Sequence, residues 1–488
     1  MNILKNRNWI EYGIPLLLII LNAVLKFAFV NSNSIANDEP FSIYHAQLDV
    51  PSIIQQLTQG NNPPLFEIML HFWIKLFGIG VFSVRFLPCC FSIVTVVILY
   101  KIGSKFFNKN IAIIACLLFT FSNVNLYHAH ETRVYSWLVL CTCISFYLFL
   151  SLLRKSDSKK YFILLFSINT IIIYSHYIGF AILISQWFCV LLNSQIRKTI
   201  LKKYFLNSII VLLLYLPLLS VFFLRFFYST KDGTWIAPST FTDVYNMLWS
   251  FSNAPVTTVL FISILLLSIV KFYFNEEKIS STTFVIMVWF LLPFIGMFFA
   301  SLKYFPKNIP VFNERYVFFT SIAYYIITAL AINYLLEKIK WNRFLIFIPV
   351  LFMLFSFEIK LSNKRNTEQA ISRVKALKSA NSIVYICADW FDMNFVYYYN
   401  ETYFSDINNQ EIKKNFLRDL SNEGIYPIQN ATQIDTLLCN KADKIIYLDA
   451  AADFAYPGNN ILKMLSNKYK KTDEQFYPAI YKVFVFQK

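Results

Sequence analysis

FLNSIIVLLLYLPLLSV (residues 205–221) and TFVIMVWFLLPFIGMFFAS (residues 283–301) carry no charged residue and no polar face at helical spacing. A buried helix of a soluble protein keeps a polar stripe at that spacing, so these runs face an apolar solvent on all sides. Similar runs of roughly twenty residues recur along the chain, each long enough to cross a hydrocarbon core of about 30 Å. Composition agrees: of 488 residues, 57% are hydrophobic, 18% aromatic and 15% charged. Soluble domains carry about a quarter charged residues. The chain reads as a polytopic membrane protein, mainly α-helical.

The net charge of +16 would suit a nucleic-acid partner only if it formed a patch. Instead the basic residues fall in short clusters between apolar runs: Lys5 and Arg7; Lys101, Lys105 and Lys109; Arg154, Lys155, Lys159 and Lys160; Arg197, Lys198, Lys202 and Lys203; Lys338, Lys340 and Arg343. This is the positive-inside pattern that orients membrane helices, and no nucleic-acid partner is expected. Alternating the clusters gives about eleven crossings with the N-terminus inside, near 10–30, 83–103, 111–128, 134–153, 161–175, 177–194, 205–224, 252–272, 282–302, 316–336 and 343–359. The apolar start reads as an uncleaved signal anchor. Residues 1–360 then form the transmembrane domain, and the segments 31–82, 129–133, 225–250 and 303–315 lie outside, with everything beyond 360. The expected location is the cell (inner) membrane, among its lipids.

The first outer segment contains a helix that begins at Asn61-Asn62-Pro63-Pro64, where a side-chain cap precedes prolines that lack an N–H to leave unbonded. Glu67, His71 and Lys75 recur every fourth residue, opposite Leu65, Ile68, Phe72 and Leu76, so the helix is expected to lie in the membrane interface. Residues 361–488 change character. Helix-like runs (368–380, 410–420, 461–468) alternate with strand-like ones (382–388, 444–448, 480–486), as in a small soluble α/β domain. It has no GxGxxG, P-loop or metal-ligand spacing, which suits binding or support rather than chemistry. Six cysteines lie in apolar runs and behave as small hydrophobes. Cys387 and Cys439 lie in the tail, where an oxidising compartment would let them pair.

Chemistry-bearing residues collect at one membrane level. Asp38-Glu39 follows the first crossing. Arg85, Arg133 and Arg315 begin the second, fourth and tenth, where long side chains reach phosphate depth. Singly, such arginines are interfacial anchors; three at one level, facing an acidic pair, form a candidate lipid-phosphate site. The segment Tyr127-His-Ala-His-Glu-Thr-Arg-Val-Tyr135 is densest in polar groups. His128, His130 and Glu131 are metal-type ligands, yet the histidines diverge on a helix and a fourth ligand is missing, so no metal is assigned. Glu131 is expected to bond Arg133 or a sugar hydroxyl. His176 lies in the tight outer turn Tyr174-Ser-His-Tyr177.

The order of these features is specific: Asp38-Glu39; Asn62-Pro-Pro-Leu65; Gly78 with Arg85-Phe-Leu87; His130-Glu-Thr-Arg-Val-Tyr135; and Glu314-Arg-Tyr316. It resembles the GT-C glycosyltransferases related to protein O-mannosyltransferases and the lipid A aminoarabinose transferase. Two positions depart: Asn62 stands where the family often has His, and His130 where it often has Gln. The resemblance implies a polyprenyl-phosphate sugar as donor and a lipid, glycan or protein acceptor. Its leaving phosphate is already stable as an anion and needs cations, the role of Arg85, Arg133 and Arg315. The acceptor hydroxyl needs a base, assigned to Asp38, with Glu39 orienting the acceptor or tuning Asp38. His130, Glu131, Tyr135 and His176 complete the substrate-binding set, the anomeric centre inverts, and no cofactor is required.

A transporter or flippase would also use many spans and a lipid-phosphate site. It would place ionisable residues near the bilayer midplane, often in two related halves, whereas here they gather at one surface and no repeat is visible. An oligosaccharide polymerase or ligase would use arginines but would not require the acidic pair. The topology is directly testable. An engineered cysteine in residues 361–488 is expected to react with a membrane-impermeant maleimide on intact cells; labelling only after permeabilisation of the inner membrane would reverse the orientation.

Overall fold

The computed structural model describes residues 12–58, 62–232, 236–303, 309–337, 345–360, 366–405, 411–477 and 480–487. Lys5, Arg7, Asn61, Lys338, Lys340 and Arg343 lie outside the described residues. The chain divides into two compact units. One comprises Met1–Ala28, Ile54–Phe66 and Arg85–Ile359; the other comprises Phe29–Ile53, Glu67–Val84 and Lys360–Lys488.

The first unit is a helix bundle. Among the described residues, six helices are long and apolar enough to cross a membrane: Val81–Phe106, Tyr135–Arg154, Ser194–Phe227, Pro255–Phe274, Ser281–Ser301 and Glu314–Leu336. Lys109–Thr120 and Asn123–Ala129 make a seventh if, bent by 63°, they form one span. Four expected crossings are shorter helices, Ile14–Phe27, Lys159–Ser175, Gly179–Leu192 and Ile348–Phe355, of 14, 17, 14 and 8 residues. At about 1.5 Å per residue these fall short of a ~30 Å core, so helix length alone does not reproduce eleven crossings. Helix starts follow their sequence signals: Asn108, Ser158 and Ser280 each accept a hydrogen bond from the backbone N–H three residues on.

Burial orders the bundle. In Tyr135–Arg154, 78% of the apolar window is buried, against 17% in Ser194–Phe227 and in Pro255–Phe274. Leu213, Leu216, Leu266 and Ile269 on the latter two point outward, where water would cost about 25 cal/mol per Å² and lipid does not. Inside, polar groups close on each other. Ser145 donates to Asn169 Oδ1 (2.6 Å), Asn169 donates to Gln186 Oε1 (3.1 Å), and Gln186 returns to Ser145 Oγ (2.7 Å). Tyr204 also donates to Gln186 Oε1 at 2.8 Å, so four helices share one network.

The bend after Thr120 has its own support. Ser122 caps Asn123–Ala129 by accepting from the Asn125 N–H. Asn253, in the left-handed region at φ 66°, donates to the carbonyls of Phe121 (2.7 Å) and Met353 (3.2 Å). Its side-chain oxygen accepts from the Asn123 N–H at 2.8 Å. Tyr325 donates to the Phe251 carbonyl at 2.9 Å, and its hydroxyl oxygen lies 2.8 Å from Ser122 Oγ.

The second unit contains a five-stranded sheet: β1 (Ser382–Cys387), β2 (Ile425–Pro427), β3 (Lys444–Ala450), β4 (Lys470–Tyr477) and β5 (Tyr481–Gln487), in the order β2-β1-β3-β5-β4. β1 runs parallel to β2 and β3, and β5 antiparallel to β3 and β4, with Tyr385 opposite Tyr447 and Tyr447 opposite Phe484. The expected strands are therefore present, with two more at the edges. Cys387 and Cys439 are free, buried thiols in this core. Cys387 faces the Gln429 carbonyl and Cys439 the Tyr385 hydroxyl. Burial, with Asp449, Asp389 and Asp453 nearby, pushes the Cys387 thiol up to about 12. Residues 31–82 also hold two helices beyond the expected one, Glu39–Gln47 and Val50–Thr58, besides Leu65–Phe77.

Gly103 lets its helix come close to Lys109–Thr120: a Cβ there would lie 2.4 Å from the Ala112 Cα. Backbone cannot yield as a flexible side chain can. Gly103→Val is expected to destabilise the purified protein by about 1–3 kcal/mol or more, read as a lowered unfolding temperature in detergent. An unchanged temperature would contradict this packing.

Candidate active site

The acidic pair belongs to the second unit. Asn37 adopts φ 52°, a left-handed conformation that Asn tolerates, and Asp38 then precedes the helix Glu39–Gln47, with Pro40 in its first turn. The Asp38 side chain makes no cap bond to that helix and is half-exposed, whereas Glu39 is buried. Glu39 Oε2 accepts the Ala36 N–H at 3.2 Å. The two acids therefore have different surroundings, one turned inward and one partly open. The loop before them is held by the helix Asp392–Tyr399: Asn394 donates to the Asn37 carbonyl at 3.1 Å, and Tyr398 Oη accepts the Ile35 N–H.

In the helix Leu65–Phe77 the expected polar stripe is partly buried. Glu67 and His71 turn inward, both buried. Ser42 donates to Glu67 at 2.9 Å, and His71 Nδ1 donates to the Ala46 carbonyl at 2.9 Å. Phe72, Leu76 and Phe77 face outward instead. Two of the three residues of the polar stripe serve the helix carrying Glu39, because buried hydrogen-bonding partners outweigh exposure to water.

The remaining site residues belong to the first unit. His130 follows the helix Asn123–Ala129, and its Nε2 lies 2.7 Å from the Lys26 carbonyl. A carbonyl only accepts, so Nε2 carries the proton. Cys89 donates to the same carbonyl at 3.3 Å. Burial, opposed by the Lys26 hydrogen bond and reinforced by the Arg85 and Lys26 charges, pushes His130 down to about 4, so it is neutral at pH 7. Arg85 itself is buried.

Glu131, Arg133, Tyr135, His176 and Arg315 come together beside this group. His128 Nδ1 donates to Glu131 at 3.2 Å, the position expected for Arg133 or a sugar. Burial raises the Glu131 carboxyl, but the His128 bond and the Arg315 and Arg133 charges outweigh it and hold it below its ordinary range. Burial and the same two arginines push His176 down to about 3, and its Nδ1 accepts the Ile178 N–H at 3.1 Å. The Arg315 guanidinium stands 5.9 Å from the Tyr135 ring centre, and the His176 ring packs against Tyr135 and Tyr316. Arg133 is buried, whereas Arg315 is half-exposed.

Four participants were not singled out from the sequence. Lys26 is fully buried near Arg85 and His130; a cation inside an apolar run was the available signal. Ser250 and Asn394 carried no signal, since hydroxyls and amides are common everywhere. Glu314 lay in the quoted Glu314-Arg-Tyr316 segment, beside the residue chosen. Among the described residues, no group of three or more His, Cys, Asp or Glu side chains is arranged to hold a metal ion. The arrangement instead offers clustered cations, neutral imidazoles and hydroxyl-bearing rings, which suits binding an anion.

Residues 61–221 match the sequence pattern of the family described as dolichyl-phosphate-mannose-protein mannosyltransferase. No curated protein matches the chain significantly. Among solved structures, the chain is similar to ArnT from Cupriavidus metallidurans in the apo state, with TM-score 0.58 and 10% identity over 98% of each chain. ArnT bound to undecaprenyl phosphate gives 0.58 and 9%, over 96% of this chain and 97% of that one. AglB from Archaeoglobus fulgidus, in complex with an inhibitory peptide and a dolichol-phosphate, gives 0.55 and 10%, over 98% of this chain and 74% of that one. Identities this low speak for the fold. The chain thus has the fold of these structures, and residues 61–221, about a third of its length, carry the mannosyltransferase pattern.

Proposed function

We propose that this chain is a membrane glycosyltransferase that moves a sugar from a polyprenyl-phosphate donor to a hydroxyl or phosphate of a lipid, glycan or protein. The observation that carries the reading is the gathering of Arg133 and Arg315 around Glu131, Tyr135 and His176. It occurs in a fold shared with a protein solved bound to undecaprenyl phosphate. A phosphate leaving group is already stable as an anion, so catalysis on that side is electrostatic: fixed cations meet charge as it develops. Arg85, Arg133 and Arg315 take this role. With His130 and His176 neutral, the imidazoles hydrogen-bond without competing for the phosphate.

A hydroxyl acceptor needs a base. Asp38 is our assignment, because it is half-exposed while Glu39 is engaged with the backbone. The proton passes from the acceptor oxygen to Asp38 as that oxygen bonds the anomeric carbon and the carbon–phosphate-oxygen bond breaks, with inversion. We place the reaction at the extracytoplasmic face of the cell membrane, with the N-terminus inside, on the distribution of basic clusters. A flippase reading leaves the half-exposed acid without a task.

Asp38→Asn is nearly isosteric and removes the base. Sugar transfer is expected to fall by about a hundredfold or more while the protein stays inserted. Activity within a few-fold of wild type would reject the assignment. Arg133→Lys and Arg315→Lys keep the charge but lose the planar fork. Each is expected to weaken binding of a polyprenyl-phosphate sugar by about 1–3 kcal/mol, with acceptor dependence unchanged. Interfacial anchors would tolerate Lys, so unchanged donor affinity in both variants would remove the arginines from the site.

A further inference from the structure

Glu314 sits one residue before Arg315 at the start of its helix. Asn313 caps this start by accepting the Arg315 N–H at 3.3 Å. The carboxylate is oriented from two sides. Ser250 donates to Oε2, and Oε1 lies 3.8 Å from His128 Nε2. That gap is too long for a hydrogen bond, and His128 Nε2 is buried without a hydrogen-bond partner among the described residues. His128 is fixed on its other edge by Glu131 and between the rings of Phe318 (4.4 Å) and Tyr135 (5.3 Å). Amid these buried groups the Glu314 side chain keeps 42% of its surface exposed. A carboxylate has about four acceptor positions. Ser250 is the hydrogen-bond donor it has among the described residues, so it is aimed and unsaturated.

We infer that Glu314 receives the hydroxyl groups of the donor's sugar, with His128 and Ser250 as positioning residues. The inference rests on the donor reading above. In a sugar phosphate the ring is joined directly to the phosphate, so a group that contacts the sugar must neighbour the group that holds the phosphate. Glu314 and Arg315 satisfy that through shared neighbours: Glu314 Oε1 lies 3.8 Å from His128, whose ring stands 5.3 Å from that of Tyr135, and the Arg315 guanidinium lies 5.9 Å from the same Tyr135 ring. Glu131, the other carboxylate here, is buried and already bonded to His128, which leaves Glu314 as the available acceptor. Aromatic rings beside an oriented carboxylate suit a sugar, which presents C–H faces to rings and O–H groups to oxygen. Residue 314 would then contribute to choosing which sugar is transferred.

The test compares two classes of lipid on the purified full-length protein in detergent: undecaprenyl phosphate alone, and undecaprenyl phosphate bearing mannose, glucose or arabinose. Wild type is expected to bind at least one sugar-bearing lipid more tightly than the bare one. Glu314→Gln is expected to lose about ten- to a hundredfold of affinity for that lipid while bare-lipid binding stays within about twofold. Ser250→Ala and His128→Gln should shrink the same sugar-dependent increment, and Ser250→Thr, which keeps the hydroxyl, should retain it. If Glu314→Gln weakens both classes alike, Glu314 merely supports Arg315 and the inference fails. It fails too if wild type gains nothing from any sugar. If wild type does not bind bare undecaprenyl phosphate, the donor reading itself is lost.

Discussion

Asn253 bonds the two ends of a broken helix, and much of the bundle depends on that. In a hydrocarbon environment every backbone N–H and C=O must find a partner inside the protein. Ending Lys109–Thr120 before the next helix begins exposes such groups, and Asn253 reaches the Phe121 carbonyl and the Asn123 N–H together. With the break satisfied, the short helix Asn123–Ala129 can leave its predecessor's axis at 63°. That redirection delivers His128, His130, Glu131 and Arg133 to one place. Asn253, Ser122 and Tyr325 together hold the bend that positions these residues.

The site's charges are arranged by a simple division. Arginine stays protonated wherever it is buried, because its intrinsic affinity for the proton is so high. Histidine does not, and burial beside arginine drives it neutral. The same pocket can thus hold fixed cations next to uncharged hydrogen-bonding rings, although both residue types count as basic. Glu131 adds the counter-charge that makes close packing of Arg133 and Arg315 tolerable.

Much of this was legible in the sequence, and what was not has physical reasons. The bundle was readable because a bilayer imposes composition on whole segments, as in residues 205–221 and 283–301. Span ends were less readable: Gly179–Leu192 is shorter than the expected 177–194, and Lys159–Ser175 begins before the expected 161. In the tail, β1, β3 and β5 announced themselves through buried β-branched and aromatic residues. β4, KKTDEQFY, did not, because an exposed edge strand is kept charged to discourage pairing with other chains. The arginines and the acidic pair were picked out as candidates by residue type. Glu314 and Lys26 needed coordinates, since their significance lies in which neighbours they lack or share. Periodicity revealed the stripe of Glu67 and His71, not which side of it is buried.

The bond between Asn394 and the Asn37 carbonyl spans 357 positions. At about 5–20 residues per second, a ribosome needs roughly 20–70 s to travel from one to the other. Throughout that interval the segment bearing Asp38 has been made, yet the side chain that steadies its approach does not exist. A truncated or stalled chain therefore carries the acid without its support. The tie between the helix Asp392–Tyr399 and the loop before Asp38 can form only late in synthesis.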